Sequence, residues 1–274
     1  FKGYTYVQQK TKDSIAPVSQ ILNIGNRPSN PKLPISDFSG LIPEFILYDK
    51  VLNRDEQIRV ASYLSLKYGI TLSEPEATYL NSSGNIIWDG ASYSDYHYNI
   101  AAIARDDSSG LFQRRASSSN QAELLSIYTR DSLSNNSFLL WGDNNLPLNE
   151  GENSIGVPTL LQKKWLVVPG GISRPIATEL VIDTRQLDVA LPEKPVYWLA
   201  IDRSGNGKFK AEDLELIKMS SLDKHQLAHF NGVEWNKGVS KKEVFGLIVG
   251  QQILVTSEIQ GPDCTNRSNG SLQV

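Results

Sequence analysis

The chain has almost no cysteine: one residue, Cys264, in 274. A lone thiol can neither close an internal disulfide nor build a multi-cysteine metal site. The surrounding GPDCTNRSNG offers only Arg267 to favour a reactive thiolate, so Cys264 is expected to be one half of a pair whose partner lies beyond Val274. Histidine is scarce too. Only His97, His225 and His229 occur, and the i,i+4 spacing of the last two falls in a segment that reads as β, which makes a poor zinc pair. Long apolar runs are lacking. Val244 to Val255 is interrupted by Gln251 and Gln252, short of the ~18–20 residues that span a bilayer as a helix. Charge of one sign is lacking as well: 21% of residues are charged and the net is −3. Nucleic acid and anionic membrane both call for a concentrated basic face, so neither is expected as a partner, nor is direct membrane insertion. The densest basic clusters, Gln162-Lys163-Lys164 and Lys241-Lys242, read as solvated loops. No G-x-S-x-G, H-E-x-x-H, P-loop or G-x-G-x-x-G string is present. The first residue is Phe1, no signal peptide is recognisable, and FKGYTY reads as mid-domain sequence; a fragment or processed product is expected.

What the chain has is turn chemistry between short apolar bursts. Residues 1–36 carry Pro17, Pro28, Pro31 and Pro34, which break any long element. LIPEFILYDKVL, from Leu41, predicts a strand buried on both faces. One helix is predicted over Arg54 to Tyr68. Asn53 stands as N-cap with Glu56 three residues on, Ile58, Ala61, Leu64 and Tyr68 form one stripe, and Gly69 suits the left-handed C′ position. The mixed flank of Val60, Tyr63 and Leu66 predicts packing between two units. From Lys164 to Gly250, KKWLVVP, IATELVID, PVYWLAID, LELIKM, HQLAHF, GVEW and EVFGLIV alternate with turn signals, the pattern of an all-β sandwich. Trp88, Trp141, Trp165, Trp198 and Trp235 all sit in such runs and are expected in the core.

Several segments resemble known families. Tyr79 to Asp107, YLNSSGNIIWDGASYSDYHYNIAAIARDD, with LFQRRASSSN after it and FLLWGDNN (Phe138 to Asn145) to close, resembles a β-rich module of large secreted Bacteroidetes surface proteins. The family's usual Asp and Gly are replaced in Asn99-Ile100-Ala101-Ala102-Ile103-Ala104, which implies a more ordinary strand. EFILYDKVLNRDEQIRVASYLSLKYGITL is similar to the closing segment of concanavalin-like (laminin G-type) sandwiches. ILVTSEIQGPDCTNRSNGSLQV resembles the start of a short β repeat of gliding-motility adhesins. Together they imply a mainly β chain of serial sandwich-like domains with one amphipathic helix near residues 54–68. The expected order is the end of a laminin G-like unit plus helix (1–72), an Asn/Ser-rich β module (73–158), an Ig-like sandwich (159–252) and the start of a further β repeat (253–274).

Two candidate sites stand out. Asp202, Ser204 and Asn206 occupy positions 1, 3 and 5 of a calcium-type loop, with Gly207 at the bend, Lys208 offering its carbonyl and Asp213 at position 12. The other reading of this stretch is a polar β-hairpin turn in which Asp and Asn cap backbone amides. Tyr93, Tyr96 and Tyr98, in YSDYHY, form a candidate contact surface, since amphipathic loop aromatics suit recognition. Asp89, Asp95 and His97, or Asp106 and Asp107, could approach one another; glycoside hydrolysis would need a defined carboxylate separation. The resemblance implies a non-enzymatic segment of an exported protein on the outer cell surface, a type IX secretion cargo, with neighbouring modules of the same polypeptide and surface polysaccharide as partners. The alternative is a calcium-assisted, lectin-like carbohydrate-binding module.

Overall fold

The computed structural model describes residues 40–74, 76–151, 160–237, 241–251, 258–260 and 271–273. The chain divides into two compact units, 1–53 and 54–274. In the first, the described residues 40–53 adopt neither helix nor strand, and Leu41, Leu47 and Val51 are exposed. The strand expected from Leu41 is therefore not formed: its apolar pattern is present, but no described segment pairs with it. Cys264 lies outside the described residues.

The second unit opens with the helix α1 (Arg54–Tyr68), which has the bounds its sequence predicts. Gly69 follows at φ +63, and a Cβ there would sit 2.3 Å from the Ser117 carbonyl oxygen, so glycine is required on both counts. The buried face of the helix differs from the expected stripe. Ser62, Ser65 and Leu66 point inward, whereas Ile58, Ala61, Leu64 and Tyr68 are only half-buried. The serines do chemical work that an apolar stripe could not. Ser62 Oγ accepts the Leu80 amide at 3.0 Å, and Ser65 Oγ donates to the Ile70 carbonyl at 2.5 Å. Small hydroxyl side chains let the helix approach closely while satisfying backbone groups that burial would otherwise leave without partners.

The strands follow in chain order: β1 (Tyr79–Leu80), β2 (Ile86–Trp88), β3 (Tyr98–Asp106), β4 (Leu111–Gln113), β5 (Arg115–Ser117), β6 (Leu125–Tyr128), β7 (Ser137–Asp143), β8 (Leu160–Gly170), β9 (Ile176–Asp183), β10 (Pro195–Asp202), β11 (Leu214–Lys218), β12 (Ser221–Leu222), β13 (Leu227–Trp235) and β14 (Glu243–Gln251). A short pair, β15 (Glu258–Gln260) and β16 (Ser271–Gln273), is antiparallel. The fold is mainly β and sandwich-like. One sheet runs β11-β10-β14-β8-β7-β3-β4 and the other β12-β13-β9-β6-β5, and every pairing in both is antiparallel.

Alternation along the strands sends side chains to opposite faces of the seven-stranded sheet. One face meets the five-stranded sheet in a core that includes Trp141, Trp165, Phe245, Phe230 and Trp235. Trp165 and Phe245 stack there with centroids 5.0 Å apart. The other face is covered by α1 and the β1–β2 hairpin through Leu66, Tyr79 and Trp88, which share a cluster with Ile100 of β3. Trp198 is half-buried against this second cluster, and the other four tryptophans are fully buried. The boundary expected at 158/159 runs through the sandwich instead of between domains. β7 and β8, on either side of it, pair from Phe138–Gly170 to Asp143–Trp165. Two halves with different composition thus build a single pair of sheets, because β8, β10 and β14 leave an edge that β7 and β3 complete.

Candidate functional site

The Asp202–Asp213 stretch connects β10 to β11. Asp202 is fully buried at the end of its strand. Its Oδ1 accepts the Ser204 amide at 2.9 Å and the Ser204 hydroxyl at 2.6 Å; its Oδ2 accepts the Gly207 amide at 2.6 Å. Asn206 Oδ1 accepts the Lys208 amide at 2.8 Å, and the Arg203 amide donates to the Asp213 carbonyl at 3.0 Å, closing the loop. Gly205 and Gly207 have φ of +68 and +74, and a Cβ on Gly205 would lie 2.2 Å from the Lys242 carbonyl oxygen. This is the geometry of a hairpin turn capped by its own polar side chains. The donor set of a calcium loop is present in sequence, yet Asp202, Ser204 and Asn206 spend their oxygens on the turn. To ligate a cation, the same atoms would have to exchange those partners. Among the described residues, no group of three or more His, Cys, Asp or Glu side chains is arranged to hold a metal.

Arg203, next to Asp202 in the loop, has a structural task. It pairs with Glu215 at 2.6 Å and with buried Glu243 at 2.9 Å, and donates to the Glu234 carbonyl at 2.8 Å. It thereby ties the loop to β11, β13 and β14, with its guanidinium 5.9 Å from the Trp235 ring centroid.

The tyrosine loop lies against this turn. Tyr93 packs edge-on to Trp88 at 5.1 Å, with the Lys242 ammonium 5.3 Å from its ring centroid. Tyr96 is half-buried, and its hydroxyl comes within 3.1 Å of where a Cβ on Gly207 would stand. Burial, with the Asp95 and Asp202 carboxylates adding to it, pushes the Tyr96 phenol up to about 12. Tyr98 is exposed and its ring lies 3.9 Å from that of His97. The two sites nominated from sequence are therefore neighbours, and of the three tyrosines Tyr98 alone is exposed.

The acidic pairs do not converge. Asp89 bonds Ser92 through amide and hydroxyl, which lowers its carboxyl below the usual range. Asp106 is buried and accepts the Ser82 amide and hydroxyl at 2.8 and 2.5 Å. Asp107 points outward to Arg105 at 2.8 Å. Neighbours in sequence on a strand end, these two carboxylates face opposite ways. His97 Nδ1 contacts the Ser94 carbonyl, and His229 Nε2 lies 3.6 Å from Asp223, whose Oδ1 accepts the His225 amide. A shallow recess of about 70 Å³ between Asp131–Ser134 and Gly171–Ile176 is well below the roughly 300 Å³ at which small-molecule pockets begin.

One cluster escaped the sequence reading. Lys163, expected in a solvated loop, is 3% exposed. Its ammonium lies 3.2 Å from Oδ1 of fully buried Asp143. Oδ2 of the same carboxylate accepts the Asn99 carboxamide at 2.8 Å, and Oδ1 also accepts the Asn145 amide at 2.8 Å. The burial of Lys163, though not its grouping with Asp143 and Asn99, was signalled by the alternation Leu161-Lys163-Trp165-Val167, which puts the lysine on the same face as three core residues.

Residues 56–239 match the model of the DUF8202 family, a domain of unknown function, and the chain belongs to that family. Neither the curated proteins nor the solved structures contain a match.

Proposed function

We propose that this chain is a non-enzymatic structural segment of a large exported surface protein, a spacer or adhesin stalk module whose partners are its neighbours in the same polypeptide. The observation that supports this most is the loop at Asp202. The most site-like motif of the sequence invests its carboxylate, amide and hydroxyl in holding a hairpin, and Arg203 anchors that hairpin to three strands. Polar side chains spent on rigidity suit a module that transmits position. The export route and outer-surface setting come from the sequence resemblance to secreted Bacteroidetes modules. Surface labelling of intact cells with an antibody to residues 54–251 tests the setting; labelling only after lysis would sink it.

A second reading, calcium-assisted carbohydrate binding, draws on the proximity of the tyrosine loop to the same turn. A glycan array probed in calcium and again in chelator separates the two. The structural reading expects silence in both conditions. Calcium-dependent binding to a defined sugar, abolished in Asp202→Ala, would replace it with the lectin reading.

A further inference from the structure

Lys163, Asp143 and Asn99 come from three adjacent strands, β8, β7 and β3, in the order β8-β7-β3. Their alternation partners, Trp165, Trp141 and Ala101, all belong to the core between the two sheets. The three polar side chains thus share the core-facing side of the seven-stranded sheet, close to its end. Beside Asn99 and Asp143 lies a recess of about 10 Å³, lined also by Ser118, Gln121, Leu124, Leu125, Trp141 and Trp165, room on the order of a single small molecule such as water or ammonia.

A buried ion pair is an expensive way to hold a core, because desolvating both charges offsets much of their attraction. Here the lysine ammonium and the asparagine carboxamide sit on the two oxygens of one carboxylate, at 3.2 and 2.8 Å. Asn99 is held in that position by an unusual backbone. Its φ is +53, at the point where β3 slips register against β7 between Tyr98 and Ala101. Asn tolerates this conformation better than most residues, and the irregularity turns its side chain to Asp143. An amine, a carboxamide and a shared carboxylate held together beside Trp141 and Trp165 are the parts of an amide-forming reaction.

We propose that Lys163 and Asn99 form an intramolecular amide bond, with Asp143 as the proton-transfer group. Asp143 takes a proton from the Lys163 ammonium, which frees the Nζ lone pair. Nζ attacks Cγ of Asn99, and the Nζ–Cγ bond forms. Asp143 then returns a proton to the departing nitrogen, the Cγ–Nδ2 bond breaks, and ammonia leaves. The lysine's remaining surplus proton departs with it, so the products are a neutral secondary amide, ammonium and the regenerated carboxylate. No oxidant, reductant or co-reactant is consumed. The bond would staple β3 to β8 across β7, joining the halves of the chain that flank residues 152–159.

Intact-mass measurement of the purified chain, with a tryptic map, tests this directly. The expected mass is below the sequence mass by one ammonia, about 17 Da. The map should contain one branched peptide in which Lys163 is uncut and joined to the segment carrying Asn99. Asn99→Ala and Asp143→Ala should each restore the unmodified mass; the wild-type map stands even if either variant fails to fold. The sequence mass with separate peptides would overturn the proposal and leave a plain ion pair. A loss of about 18 Da mapped to Lys163 and Asp143 would also overturn it, by making Asp143 the acyl partner. So would an ammonia loss mapped to another asparagine.

Discussion

At the scale of single residues, the sandwich depends on close approaches that tolerate no added atom. Gly142 is the next-to-last residue of β7, where a Cβ would meet the Tyr96 carbonyl oxygen at 2.2 Å and the Trp88 ring at 3.1 Å. Gly142→Ala should cost about 2–4 kcal/mol, read as a lower denaturant midpoint with unchanged slope. Trp235 is fully buried and its Nε1 donates to Thr178 Oγ1 at 2.8 Å, while Thr178 Oγ1 donates to the Val233 carbonyl. Trp235→Phe keeps most of the packing and removes the donor, so a loss of about 1–3 kcal/mol is expected in the same assay. Asp183 carries the clearest pH signature. Hydrogen bonds from Arg185, opposed by burial, leave its carboxyl at about 2. A depressed pKa contributes stability that is present above the unfolded value and lost as pH falls through the folded one. Because Arg185 is largely exposed, the contribution is discounted to about 1 kcal/mol. Asp183→Asn should lower stability at neutral pH by that amount and flatten the decline between about pH 4 and about pH 2. An unchanged acid limb in the variant would count against this account.

At the scale of elements, the helix shows what periodicity can and cannot convey. Its bounds and its glycine stop were legible because caps and breakers act locally. Its buried face was not, because Ser62 and Ser65 are polar by type and are buried for their hydrogen bonds to the hairpin and chain that follow. Ser62→Ala should leave the Leu80 amide without its acceptor and cost about 1–2 kcal/mol, seen as faster hydrogen exchange at that amide. The strand expected from Leu41 failed for the complementary reason: an apolar run forms a strand only where an edge pairs with it, and among the described residues none does. The runs after Lys164 succeeded because turn signals punctuate them, and HQLAHF and GVEW proved to be one strand, β13, with a register shift between Phe230 and Val233. At the candidate site, the turn between β10 and β11 could be read from Asp, Gly and Asn spacing, with the hairpin and the metal loop both open. Which atoms accept which amides required the fold. The grouping of Asn99, Asp143 and Lys163 was out of reach, since it depends on three strands meeting in a particular order.

At the scale of the molecule, strand order decides what the chain is. Adding β7 and β3 to the β8 edge, and β6 and β5 to the β9 edge, makes residues that look like two modules share both sheets and one core between them. A unit built this way resists separation at the composition boundary, because pulling the halves apart requires breaking the β7–β8 ladder along its length. The measurement that tests this most directly is calorimetric unfolding of the chain in calcium and in chelator. One cooperative transition for residues 54–251, with a midpoint that chelator does not move, is the expected result. Two separable transitions, or a midpoint that falls when calcium is removed, would contradict the account of a single structural unit held by its own side chains.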